Sequence, residues 1–223
     1  MGFDPERHHR RSIRLRGYDY NQPGAYFVTV VTHNRACLFG EVVDGEMQVN
    51  ALGVIVREEW FRSAVIRPYV RLFPDEFVVM PNHVHGIIWI VDDDVGATRR
   101  VAPTRRVAPT GGIDAGATRC VAPTEYPPRG PTPRSIGAIL GQFKSITTKR
   151  INALRDTPGA PVWQRNYYEH IIRNEEALHR IREYIATNPL RWHVDRENPN
   201  RQATDAFEEW LEGFTKGGRS HAR

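Results

Sequence analysis

His83 and His85 stand two residues apart in "MPNHVHGIIWIV", Met80 to Val91. Residues at i and i+2 of a strand project to one face, so an extended chain here makes the two imidazoles neighbours. The flanking residues are continuously apolar, as in an interior strand. Two adjacent buried imidazoles need partners, because unsatisfied polar groups there are costly. Imidazole is the commonest protein metal ligand, and this separation suits two ligands on one cation. Coincidence is the plain alternative, which nine histidines in 223 residues allow. A second pair lies in "REYIATNP", where Tyr184 and Asn188 are four apart and share a helix face. Ala177, Ile181 and Ile185 lie on or beside that face and turn it inward. The spacing alone favours a core Tyr with a helix-ending Asn before Pro189 over a reactive pair.

These residues need elements to hold them. "AYFVTVVTHNR" (25–35) is rich in β-branched and aromatic residues and reads as a strand. Asp44-Gly45 joins two short strands as a hairpin. Asn50 caps a helix through Leu52, Ile55, Val56 and Trp60, which Pro68 stops. "EFVVM" and "VHGIIWIV" are strands on either side of Pro81-Asn82. Ser135 opens a second helix with an apolar stripe of Ile136, Ile139, Leu140, Phe143, Ile146, Thr147, Ile151 and Leu154. "NYYEHIIR" reads as a last short strand, and Asn174 caps a third helix with Glu175 and Glu176 in its first turn. This order predicts an α+β domain, an antiparallel sheet with helices packed on one face.

Between 92 and 133 the text changes character. "VAPT" occurs three times, the segment is rich in Pro, Gly and Thr, and large apolar side chains are few. Such a stretch cannot offset its ordering entropy and reads as a flexible insertion, or as a basic arm carrying Arg99, Arg100, Arg105 and Arg106. The chain thus divides into a basic N-terminal arm (1–24), a domain (25–192) interrupted by the 92–133 insertion, and a C-terminal tail (193–223).

The chain carries 31 Lys plus Arg against 26 Asp plus Glu, a net charge of +5, with Arg far outnumbering Lys. Guanidinium groups suit phosphate, so the balance leans toward a polyanionic partner. The two cysteines, Cys37 and Cys120, form neither a disulfide framework nor a metal motif, as expected in a reducing cytoplasm. No signal-like or membrane-spanning apolar run is present. "RRSIRLRGYDY" interleaves Arg11, Arg14 and Arg16 with Tyr18, a pattern for gripping single-stranded DNA or for a solvated tail. Lys144, Lys149 and Arg150 on the second helix are further candidates for phosphate contact.

The segments "RRSIRLRGYDYNQPGAYFVTVVTHNRACLFGEV", "VVMPNHVHGIIWI" and "VWQRNYYEHIIRNEEALHRIREYIATNPLRW" together resemble the REP-associated tyrosine transposases, a bacterial branch of the single-tyrosine HUH transposases. The likeness runs from about Arg11 to Trp192 and breaks only across the insertion. It implies a ferredoxin-like HUH nuclease domain with a divalent metal, Mg²⁺ or Mn²⁺, on His83 and His85. It puts the nucleophile on Tyr184 and a third metal ligand on Asn188. The implied activity is metal-dependent cleavage and rejoining of single-stranded DNA at hairpin-forming palindromic repeats, through a 5′-phosphotyrosine. A DNA-hairpin-binding protein without turnover, or a nuclease that uses water, would be the alternatives. The partner would be single-stranded or hairpin DNA in the cytoplasm, at the nucleoid, with monomer and homodimer both open.

Overall fold

The computed structural model describes residues 22–92, 131–207 and 209–211. The arm residues Arg11, Arg14, Arg16 and Tyr18 and the repeat stretch therefore lie outside the described residues.

The main sheet is built on two long strands, β1 (Gly24–Val31) and β6 (His83–Ile90), which pair antiparallel along their whole length. β7 (Tyr168–Ile172) flanks β1, while the short β4 (Val70–Arg71) and β5 (Phe77–Val79) flank β6, all antiparallel. β2 (Gly40–Val43) and β3 (Glu46–Val49) form a separate hairpin. Its turn puts Asp44 and Gly45 at φ of 51° and 78°, the left-handed pair that a two-residue hairpin loop requires. β4 and the short 3₁₀ turns carry no periodicity of their own and were not anticipated from sequence.

Each helix starts where a polar cap satisfies its open amides. Asn50 accepts from the Leu52 and Gly53 amides at the start of α1 (Ala51–Ile66). Ser135 does so for Ala138 at α2 (Ile136–Arg155), and Asn174 for Ala177 at α3 (Glu175–Thr187). Among the described residues, no helix is long and apolar enough to cross a membrane.

The α+β class and the antiparallel sheet are as expected, but the helices are shared between the two faces of the sheet. Tyr26, Val28 and Val30 of β1 and Val84, Ile88 and Ile90 of β6 pack with Trp60 of α1 and Ile139, Leu140 and Phe143 of α2. The alternate residues Ala25, Phe27 and Ile87 meet Ile181, Tyr184 and Ile185 of α3 on the other side. The reason is visible in β6 itself, where both faces are apolar and both must be covered. Gly86 sits where the first layer leaves no room for a side chain, since a Cβ there would come within 2.4 Å of the Trp60 ring, which in turn stacks on Phe77.

The stretch beyond 192, set apart from sequence as a tail, is integral to this second layer. Asp195, Asp205 and Phe207 are buried, and Trp210 and Leu211 pack against the cluster under α3. Asp205 accepts from Arg191 and from the Phe207 amide, which ties this stretch to the end of α3. At the other end of the sheet, the Val91 amide bonds to the Tyr69 carbonyl at 2.9 Å, and the Arg134 guanidinium lies 4.5 Å above the Tyr69 ring. The chain therefore leaves β6 and returns toward α2 at the same residue.

Candidate metal and tyrosine site

β6 places His83 opposite Val31 and His85 opposite Thr29, both side chains on the α3 face. The two rings are buried, and their Nε2 atoms lie 2.9 Å apart. His85 Nδ1 is 2.9 Å from the Thr29 hydroxyl. His83 Nδ1 is 2.9 Å from Asn82 Oδ1. Burial and, secondarily, the neighbouring His85 push the His83 imidazole down to about 3, while Asp195 opposes that shift. At neutral pH His83 is an uncharged imidazole, the form that binds a metal.

α3 crosses this face and brings Tyr184 to the pair. The Tyr184 hydroxyl is 3.2 Å from His85 Nε2 and donates to Asp195 Oδ2 at 3.3 Å. Its ring lies edge-on to Phe27 and is stacked on Phe207 at 3.8 Å between centroids. One turn on, Asn188 is fully buried and donates through Nδ2 to Asp195 Oδ2 at 2.9 Å. Its Oδ1 is buried with no hydrogen-bond partner. The residues singled out from the strand and the helix thus converge on one point.

Asp195 was not among them. It follows the 3₁₀ turn Trp192–Val194, and its Oδ2 lies 3.8 Å from His83 Nε2 and 3.9 Å from His85 Nε2. Burial alone would raise its carboxyl, but the two imidazoles and the Asn188 amide hold it below the usual carboxylate range. Its only sequence signal was an acidic residue a few positions past the "YIATNP" segment, in a stretch without periodicity.

The site residues fit a divalent cation on their own chemistry. His83, His85 and Asp195 offer ligand atoms all within 4.8 Å of one another. A separation of 2.9 Å between two Nε2 atoms matches neighbouring positions on one cation, about 3 Å apart for metal–nitrogen bonds of about 2.1 Å. The orphaned Asn188 oxygen is a fourth donor without other employment. An aspartate adds a hard anionic oxygen, which suits Mg²⁺ or Mn²⁺ better than imidazole and amide alone.

Other candidates stand elsewhere. The Lys144 ammonium donates to the carbonyls of Gln164 (3.0 Å) and Asn166 (2.8 Å) and lies over the Tyr167 ring, so it braces a loop. Burial brings that amine down to about 8. Arg150 bonds Glu58 and Glu59, each at 2.7 Å, which spends its charge within the fold. Lys149 is exposed, and His33 sits on an exposed turn, outside the His83, His85 and Asp195 group. His170 faces Trp210 rather than the metal site. Trp163 is core, and Trp89 is half-buried.

No family model matches this sequence. An uncharacterized protein of Haemophilus influenzae is 40% identical over 189 residues, covering 85% of this chain and 93% of that one. A structure of a REP-associated tyrosine transposase bound to a REP hairpin aligns over 80% of this chain and 73% of its own, at 18% identity and a TM-score of 0.48. A candidate transposase from Deinococcus radiodurans aligns over 77% and 94%, at 18% identity and a TM-score of 0.34.

Proposed function

Since this chain belongs to one family with the Haemophilus influenzae protein, we propose from its own site that it is a metal-dependent single-stranded DNA endonuclease and strand transferase of the REP-associated tyrosine transposase type. One observation carries the reading. A tyrosine hydroxyl from a helix lies within 3.2 Å of a paired histidine on the sheet and 3.3 Å of a buried aspartate. A tyrosine that only filled the core would not need its hydroxyl beside a buried His pair with metal-ligand spacing. The "NHVH" and "YIATNP" segments that resemble the transposases supply the histidine and tyrosine atoms, and the aspartate comes from beyond them.

His83, His85 and Asp195 would hold the cation, with Asn188 beside them. A bound divalent cation would neutralise the scissile phosphate and make the tyrosine hydroxyl more acidic. Asp195 orients that hydroxyl through its hydrogen bond, and Phe27 and Phe207 fix the ring. Tyr184 Oη attacks phosphorus and the bond to the 3′ oxygen breaks. The tyrosine proton ends on that oxygen, which leaves a 5′-phosphotyrosine and a free 3′-hydroxyl. The same groups run the step in reverse, so cutting and joining share one site. The substrate class is single-stranded or hairpin DNA in the cytoplasm, gripped by the arginine-rich arm and the exposed Lys149.

The test uses hairpin oligonucleotides from DNA beside the gene, labelled at either end, with Mn²⁺ or Mg²⁺ and denaturing gels. A metal-dependent protein–DNA adduct that keeps the label 3′ of the nick, and is absent in Tyr184→Phe, is the expected result. Cleavage without adduct, unchanged in Tyr184→Phe, assigns the attack to water. Binding without cleavage by the wild type assigns the chain to hairpin binding alone.

A further inference from the structure

We propose that Asn82 is the positioning residue of this centre: its side chain fixes the His83 ring and docks the segment that delivers Asp195. This rests on the metal-site reading above. Asn82 is fully buried, between the carbonyls of two segments far apart in sequence. Its Nδ2 donates to the Arg35 carbonyl at 3.1 Å and to the Glu197 carbonyl at 2.7 Å. With both amide hydrogens spent on carbonyls, the atom facing His83 must be the oxygen. His83 Nδ1 must then carry the proton and donate to it, which leaves the Nε2 lone pair turned toward His85 and Asp195. The outer hydrogen bond of a metal-binding histidine sets its tautomer and orientation in this way.

The bond to Glu197 does a second job. The Glu197 amide donates to Asp195 Oδ1 at 2.7 Å, so the Glu197 backbone is held by Asn82 at its carbonyl and holds the carboxylate through its N–H. Arg35 closes the ring, because its Nε pairs with the Glu197 carboxylate at 3.1 Å. Its carbonyl reaches Asn82 from a left-handed pair, Asn34 and Arg35, both at φ of 54°. Left-handed backbone at two successive non-glycine residues persists only where its surroundings demand it. A residue next to His83 in sequence thus connects the strand ligands to an aspartate 113 positions after Asn82, counting from 82 to 195.

The experiment takes the full chain as wild type, Asn82→Ala and Asn82→Asp, and Asp195→Ala with and without Asn82→Ala. Mn²⁺ binding is measured by calorimetry, and the His83 tautomer of the metal-free protein by ¹⁵N NMR. In the wild type His83 is the Nδ1–H form. Asn82→Ala loses that fixed tautomer and weakens Mn²⁺ binding about 10- to 100-fold. Asn82→Asp, still able to accept from Nδ1, restores the Nδ1–H form. In the Asp195→Ala background Asn82→Ala has a smaller effect, because the docking role is already gone. A wild-type Nε2–H tautomer, or Mn²⁺ affinity within twofold of wild type in Asn82→Ala, overturns the proposal. A wild type that binds no Mn²⁺ removes the metal reading instead, and the tautomer measurement still decides whether Asn82 fixes His83.

Discussion

At His83 the folded chain keeps an imidazole from its proton. Unfolded, the group titrates near 6.5; folded, burial holds it down to about 3. Between those values the unfolded chain binds more protons, so stability falls as pH drops through this window. The slope is at most about 1.4 kcal/mol per pH unit for one group. Thermal unfolding followed from pH 7 to pH 4 should show that loss, and His83→Gln should flatten it. A curve equally steep in the variant would mean the acid sensitivity arises elsewhere. Periodicity made legible that His83 and His85 share one strand face and that Tyr184 and Asn188 share one helix face. The roles of Tyr184 and Asn188 were assigned through the resemblance. Asp195 was illegible: it lies in an aperiodic stretch of charged residues, and nothing local distinguishes a carboxylate folded inward from a solvated one.

Among the elements, β6 bears the heaviest demands. One of its faces presents His83 and His85 to α3, and the other receives Trp60 at Gly86. Gly86→Ala should therefore destabilise the fold by about 1–3 kcal/mol through overpacking, measured as a lower denaturant midpoint. An unchanged midpoint would show that the indole can shift. α3 is tied to the same sheet from outside the site. The buried Glu76 accepts from Trp89 at 2.6 Å and from Arg182 at 2.6 Å and 2.9 Å, two residues before Tyr184. The caps at Asn50, Ser135 and Asn174 were readable because capping is local chemistry. The distribution of helices over both faces was not, although the unbroken apolar run in β6 already required two covers. A one-faced sheet shows strict alternation, and this strand does not.

For the molecule as a whole, the described fold closes without the repeat stretch. Replacing residues 93–130 by a short Gly-Ser linker should leave the unfolding midpoint and the Tyr184-dependent adduct unchanged to within about twofold, since loop-closure entropy varies only slowly with length. A collapse of either would give that stretch a structural or substrate-holding part. The positive charge is also less available than composition suggests, because Lys144 and Arg150 are consumed inside the fold. Composition counts charges, and only packing shows which of them are spent.

The meeting of Val91 and Arg134 at Tyr69 has a consequence for inheritance. His83 and Ile90 are separated by roughly 23 Å of extended strand, so this doorway opens far from the chemistry. Tandem copies of a short coding unit gain and lose repeats whenever a polymerase slips. Here such slippage would change the number of residues between two ends that meet at Tyr69. The arrangement predicts that related chains differ in the number of "VAPT" units while the residues that build the site stay the same.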